Sequence, residues 1–315
     1  MYCWDELFLI LYKREESTLR KPLIGYRRKM LLLPLLFLAP AMLLYAVFFV
    51  YPFLFTFLLS FQQWDMISPT RSFVGLSNYT GLLHDEVFWM SMRNTLLYLL
   101  MTMPVSIGLG LGLALLIESL LQGRVMYRFI FYLPVVSPIA VVAIIWSLMY
   151  DDQSGVVNEL LLLFGIDGPN WLSDATTSLW AVAIVGIWKG FGYEMLLYVS
   201  GLKSIDKGLY EAASIDGAGR LRRLFHITLP LLSPITLFIV IMGVISSFQN
   251  FTLIKIMTSG GPNNSSNVLV HQLYQEAFQF FSIGKAAAIS VILFAIVLLI
   301  TVVQLRLSRS TVHYF

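Results

Sequence analysis

Six apolar stretches, approximately residues 31 to 60, 95 to 117, 129 to 150, 179 to 201, 231 to 254 and 286 to 305, constrain this chain more than any other feature. Each is long enough to cross a hydrocarbon layer of about 30 Å, which takes about 20 residues of helix. Five of the six contain no Asp, Glu, Lys or Arg. A soluble fold could not use them: with 58% apolar and 12% charged residues, a chain of 315 has too few charges to cover a soluble surface of that size. Length alone would suggest two soluble domains, but the apolar stretches follow one another through short links. The expected fold class is therefore all-α integral membrane, a bundle of six transmembrane helices. A basic segment, residues 1–30, precedes the membrane domain at 31–315, which carries one long basic connection at about 202–230.

Positive charge sets the expected orientation, because Lys and Arg are retained on the cytoplasmic side. Sixteen of the 21 Lys and Arg residues fall in the N-terminal segment, the second and fourth connections, and the tail. Arg71, Arg93, Lys189, Lys255 and Lys285 are the remainder. Both termini and the connection at 202–230 are expected in the cytoplasm, in a multi-pass protein of the cell's inner membrane. The basic cluster before the first stretch, and the prolines within it (Pro34, Pro40, Pro52), do not suit a cleaved secretory leader. The short apolar run Leu7 to Tyr12 is assigned no function.

Several chemistries lack their residues. The single cysteine, Cys3, excludes an intrachain disulfide and makes thiol-based metal or redox chemistry improbable. His84, His226, His271 and His313 are scattered without metal-ligand spacing, so no metal site is expected. No phosphate loop occurs: Gly284-Lys285 is followed by Ala286, and Gln279 stands where the first glycine should be. The chain itself is not expected to hydrolyse ATP or to carry a catalytic residue. Gly108, Gly110 and Gly112 lack the context of a nucleotide fingerprint and are read as close helix packing.

Polar interruptions of the spans are the candidates for a solute path. Trp188-Lys-Gly-Phe-Gly-Tyr-Glu194 supplies the only charges inside a window, and intramembrane ionisable groups are costly and default to function. Lys189 and Glu194 are about 140° apart on a helix, so each needs its own partner. Interhelical bonding and a role in the solute path both remain open for this segment, including Trp188 and Tyr193. In the fifth window Phe248-Gln-Asn-Phe251 places the amides of Gln249 and Asn250 between two rings. Amides bond hydroxyls and rings cover a sugar's C–H face, which suits a polyhydroxylated solute. Amides buried between membrane helices also act as glue, and that reading stands beside the first. The loops at 151–178 and 258–282 hold no Lys or Arg, several carboxylates, and turn-formers such as Gly260-Gly-Pro-Asn-Asn264. They read as folded polar edges on the outer face.

The basic connection carries the most specific motif: Glu211-Ala-Ala-Ser-Ile-Asp-Gly217, then nine residues, then Ile227-Thr-Leu-Pro230. Ser204 and Asp206 can cap a short helix on which Leu209, Ala212 and Ala213 share a smooth face. Glu211 offers a carboxylate to a partner cation, and Gly217 can take the positive φ that reverses the chain. This spacing resembles the signature of permease subunits of binding-protein-dependent ABC importers. Similarity to the sugar-type permeases runs from about residue 31 to the end, through Leu133-Pro134, the run Thr258 to Pro262 and the tail Gln304 to Tyr314.

The resemblance implies a type I importer bundle paired with a second, homologous permease subunit. It further implies two cytoplasmic ATPase subunits that bind ATP and Mg, and an extracytoplasmic solute-binding protein facing Thr258 to Pro262. The segment containing Glu211, Ala212, Ala213, Gly217, Ile227, Leu229 and Pro230 would couple to the ATPase, with Glu211 meeting an arginine there. The substrate implied is a mono- or oligosaccharide. Glycerol 3-phosphate permeases share much of the pattern, including a run like Ile215 to Gly219, and Lys189 and Lys255 could serve a phosphate. A secondary transporter would fit the hydropathy but leave the Glu-Ala-Ala connection without a job. A membrane-embedded enzyme would need a polar catalytic cluster, and none is evident.

Overall fold

A computed structural model describes residues 23–65, 67 and 70–308. Most of the basic segment 1–30, Cys3, the run Leu7 to Tyr12 and the end of the tail with Arg309 and His313 lie outside the described residues. The chain divides into two compact units, residues 1–56 and 57–315. Helix α1 (Leu23–Tyr45) passes through a π-helical turn, Ala46–Val50, into α2 (Tyr51–Leu59), within which the first unit ends. From Pro34 onward its large apolar side chains are mostly exposed, as suits a helix facing lipid.

The second unit is almost wholly helical. A two-stranded ribbon pairs β1 (Gln62–Gln63) with β2 (Ser72–Phe73), Gln62 opposite Phe73. After α3 (Ser77–Leu83), the longest helix, α4 (Glu86–Ser119), starts where Asp85 Oδ1 accepts from the amides of Val87 at 2.9 Å and Phe88 at 3.4 Å. That carboxylate fills orphan donors of the first turn. Next come α5 (Arg124–Val136), α6 (Ile139–Met149) and α7 (Val156–Leu163), then α8 (Ser178–Ser204). The fourth connection holds α9 (Lys207–Ile215), α10 (Arg220–Arg223), a π-helical turn at Leu224–Thr228 and α11 (Leu229–Leu231). The chain ends through α12 (Ser233–Phe248), α13 (Thr252–Met257), α14 (Leu269–Phe278) and α15 (Ile283–Ser308).

Five helical segments, 34–59, 86–119, 178–204, 233–257 and 283–308, are long and apolar enough to cross a membrane. The window at 129–150 is not one straight helix: α5 and α6 meet at a bend of 92°. Proline dictates the break. Ser137 precedes Pro138, the α region is disfavoured there, and its ψ is 139°. Lys189 on α8 then reaches across and donates to the carbonyls of Pro134 (3.1 Å), Val135 (3.3 Å) and Ser137 (2.9 Å). A break at membrane depth leaves carbonyls such as those of Val135 and Ser137 without helical partners, and the half-buried ammonium of Lys189 supplies donors to them.

Helices α4 and α8 form the axis of the unit, and glycine sets how closely neighbours approach α8. A methyl at Gly110 would meet Glu194 Cβ at 2.8 Å and the Met195 amide at 3.0 Å, one at Gly192 would strike the Phe131 carbonyl, and one at Gly201 would strike Leu232 and Ile235. Gly108 and Gly112 face open space, so only the middle glycine of the three expected to pack tightly does so. Two apolar cores lie along this axis. One gathers Tyr98, Val142, Val182, Ile254 and Val268; the other gathers Ala114, Ile117, Met195, Leu232 and Ile239 toward the end of the bundle that carries α9.

Charges pin the ends. Lys285 Nζ sits 2.7 Å from Asp85 Oδ2 and 2.6 Å from Glu276 Oε1, joining α15 to the start of α4 and to α14. Burial works against ionisation of Asp85, but the Lys285 ammonium and the two amides outweigh it and hold its pKa below the usual carboxylate value. At the other end Glu118 pairs with Arg128 and, at 3.8 Å, with Arg124.

Candidate functional site

Two features of the second unit stand out: an exposed helix in the fourth connection and a cavity midway along α4 and α8. The exposed helix is α9. Asp206 caps it, its Oδ1 accepting from the Gly208 amide at 2.9 Å. Ser204, expected to share the cap, instead closes the last turn of α8 by donating to the Gly201 carbonyl at 2.8 Å. The C-terminus is a Schellman closure: the Ala218 amide donates to Ala213 at 2.8 Å and the Gly217 amide to Ser214 at 3.2 Å, with Gly217 at φ +74°. Nothing crowds Gly217, so its requirement is conformational rather than steric.

No residue of α9 is buried. Glu211 and Ala212 are exposed, Leu209 and Ile215 present 44% and 86% of their surface, and Ala213 is half-buried. Among the described residues Glu211 has no hydrogen bond or ion pair. The helix is nevertheless held firmly. Tyr210 Oη lies 3.0 Å from Thr228 Oγ1, and Arg223 Nη1 donates to Ser214 Oγ at 2.8 Å. Ile227, Leu229 and Pro230 are half-buried around buried Thr228, forming the seat of the helix rather than its exposed face. The helix thus presents exposed Leu209, Ala212 and Ile215 while these bonds tie it to the rest of the connection.

The cavity lies between the two apolar cores and measures about 410 Å³. Its walls come from α4 (Tyr98, Thr102, Ser106), α8 (Gly186, Lys189, Gly190, Glu194) and the α12–α13 junction (Gln249, Asn250, Phe251). The backbone at Gln249 to Phe251 is not helical: α12 stops at Phe248 and α13 starts at Thr252, with the Phe251 amide bonded to the Gln249 carbonyl at 2.8 Å. Non-helical backbone at membrane depth is tolerated where it is buried in protein or lines a cavity, which is where this stretch lies. Gln249 is exposed into that space. Asn250 Nδ2 and Glu194 Oε2 are buried without a partner.

The solute-path candidates thus divide. Lys189, Gln249, Asn250 and Phe251 line the cavity. Trp188, Tyr193 and Phe248 do not: Phe248 is fully buried against Leu99 and Val244, Trp188 packs edge-on to Trp146 at 5.6 Å, and Tyr193 is 40% exposed on another face. Lys189 both lines the space and bonds across helices. Tyr98, Thr102 and Ser106 escaped sequence reasoning. Their signal was present as polar residues at two successive i+4 steps in an uncharged span, one face of a helix.

At the end of the bundle opposite α9, the segment 258–268 is folded and tied down. Asn94 Nδ2 donates to the carbonyls of Asn264 and Asn267, both at 2.9 Å, and Ser266 Oγ lies 2.7 Å from both Thr258 Oγ1 and the Gly261 carbonyl. His271 is fully buried and its Nδ1 lies 2.8 Å from Asn267 Oδ1. Burial, and secondarily the charge of Lys255, push its pKa down to about 4, so the ring stays neutral at pH 7. In the segment 151–178, Asn158 Oδ1 accepts from Trp171 Nε1 at 2.7 Å while Trp171 stacks on Tyr150 at 5.2 Å. Both loops are folded, but 151–178 is not the uniformly polar edge expected, since Val156, Leu160, Leu163 and Phe164 in and after α7 are exposed.

Residues 122–313 match the family described as "Binding-protein-dependent transport system inner membrane component". The chain is 34% identical over 280 residues to the arabinooligosaccharides transport system permease protein of Bacillus subtilis, covering 88% of each. It is 32% identical over 283 residues to the sn-glycerol-3-phosphate transport system permease protein of Yersinia enterocolitica, covering 90% of this chain and 96% of the relative. Among solved structures, a chain of a bacterial ABC transporter involved in import of the acidic polysaccharide alginate superposes with a TM-score of 0.78 at 23% identity. The match covers 91% of this chain and 97% of that one, and it is a likeness of fold.

Proposed function

The chain belongs to the binding-protein-dependent transport system inner membrane components, the permeases of ABC importers, and we propose that it moves a mono- or oligosaccharide into the cell through a path containing the cavity between α4, α8 and the α12–α13 junction. The observation that carries this reading is the broken helix at Gln249 to Phe251. There two neutral amides and a ring face a space of about 410 Å³ in an otherwise apolar bundle. Such a wall matches a solute with many hydroxyls and apolar C–H faces. Relatives named for arabinooligosaccharide transport support the same class.

In this reading the chain performs no chemistry. Two cytoplasmic ATPase subunits bind ATP and Mg, a homologous permease completes the path, and an extracytoplasmic binding protein delivers the solute at the 258–282 end. Both termini then lie in the cytoplasm. Helix α9 seats in a cleft of an ATPase subunit, with Glu211 facing one of its arginines, and the bonds at Asp206, Tyr210 and Ser214 let it transmit movement as a rigid body. A glycerol phosphate is the second reading, favoured by relatives so named. Uptake of labelled neutral oligosaccharides and of glycerol 3-phosphate, measured in vesicles carrying the complete importer, separates the two. Saturable ATP-dependent entry of an oligosaccharide is the expected result.

A further inference from the structure

Resting on the carbohydrate-import reading and narrowing it, the further inference concerns which side chain in the cavity discriminates between solutes. Glu194 and Asn250 both line the cavity, and Glu194 Oε2 and Asn250 Nδ2, buried rather than exposed to it, have no hydrogen-bond partner. One can accept a hydrogen bond and the other can donate one. A hydroxyl does both, so a polyol brings what each atom lacks.

Glu194 is held in place from behind. Gly110 of α4 packs against it so closely that a methyl there would lie 2.8 Å from Glu194 Cβ. Gly186, Gly190 and Glu194 follow at i+4 steps along α8; Tyr98 Oη packs onto Gly186 and Ser106 Oγ lies beside Gly190, so the carboxyl shares this face with two hydroxyls of α4.

The same wall has no cation to spare. Lys189 is the only Lys, Arg or His among the residues lining the cavity, and an ammonium has three donors. All three are matched by the carbonyls of Pro134, Val135 and Ser137. Lys255, the other cation considered for a phosphate, lies outside the lining with its Nζ 5.2 Å from the centre of the Tyr274 ring. A phosphate or carboxylate solute needs a charged donor and would meet a carboxyl group instead.

We propose that Glu194 is the specificity-determining residue of the solute path, accepting hydrogen bonds from a neutral carbohydrate and excluding anionic solutes such as glycerol phosphates and uronates. The test uses the purified importer complex with its ATPase subunits in nanodiscs, without the binding protein, so that the latter's selection does not enter. Equilibrium dialysis reads binding of arabinotriose and maltotriose as neutral probes, and of glycerol 3-phosphate and trigalacturonate as anionic ones. A neutral probe should bind the unaltered complex and both anions should not. Glu194→Gln should weaken neutral binding about tenfold and raise anion binding to a measurable level. Glu194→Asp keeps the carboxyl, reports on folding, and should still exclude both anions. Unchanged neutral binding in Glu194→Gln would overturn the assignment of Glu194 while leaving carbohydrate import standing. Binding of either anion by the unaltered complex as tightly as the neutral probes would overturn the selection against anions. If glycerol 3-phosphate alone bound, the carbohydrate reading would fail and the inference with it.

Discussion

Glu211 stands on α9 and Gly217 closes its C-terminus, and the two do different work. Gly217 holds a left-handed φ of +74° with nothing near it, so a side chain there costs backbone strain of roughly 1–2 kcal/mol rather than a clash. Gly217→Val should therefore leave membrane insertion intact, because the residue lies in no span, and should misplace α9. Protease sensitivity of the 202–230 connection should rise while the rest of the chain is unchanged. In the cavity, Gln249→Leu removes an exposed amide from the wall. It should lower uptake while the complex assembles and its basal ATPase rate is unchanged; loss of assembly instead would favour packing as the role of Gln249. His271 gives a pH signature. Its folded pKa of about 4 is below the unfolded value of about 6.5, so the unfolded state binds more protons between those limits. The stability that neutral His271 contributes is full above about pH 6.5 and is lost as pH falls toward 4. The melting temperature should drop over that window, and the drop should shrink in His271→Gln.

At the scale of elements, the α5–α6 break separates what local sequence carries from what only the tertiary fold supplies. The break was legible in Ser137-Pro138, because the residue before a proline leaves the α region, yet continuous hydropathy across 129–150 reads as one span. What closes the break was not legible. Lys189 lies more than 50 residues away in sequence, and its three bonds exist only because α8 packs across the end of α5. Lys189→Met should leave the Val135 and Ser137 carbonyls without this donor, while Pro134 keeps the Ser137 amide, at a cost of about 1–3 kcal/mol, and Lys189→Gln should recover part of it. Thermal unfolding of the detergent-solubilised chain ranks the variants; equal melting temperatures would remove the structural role. The interruption at Gln249 to Phe251 behaves likewise. The amide pair announced polarity in the sequence, but the loss of helix there is a property of the packed bundle. The cap at Asp206 and the reversal at Gly217 were readable because both depend on residues within one turn. The attribution of part of the cap to Ser204 failed, since α8 runs on through that residue.

Over the whole molecule, patterning of hydrophobicity and charge carried the fold class, because a bilayer demands long uncharged helices. The cavity was only partly visible, since its α4 and α8 walls depend on which faces meet. Sixteen of 21 positive residues fall at one set of ends, and the proposed cytoplasmic side for the Glu211 connection and both termini rests on that bias. Single cysteines introduced near residues 165 and 214 should label from outside and inside respectively; labelling of both from one side would break that topology. The central claim is that this chain is a permease worked by ATPase subunits through Glu211. It is tested most directly by purifying Glu211→Lys with its partners and measuring ATP-driven oligosaccharide uptake in proteoliposomes. A lysine facing the expected arginine exchanges attraction for repulsion, a penalty on the order of a few kcal/mol if the contact is desolvated. The variant should insert in the membrane, retain little ATPase on purification, and import nothing. Normal ATPase retention together with normal uptake would contradict the claim.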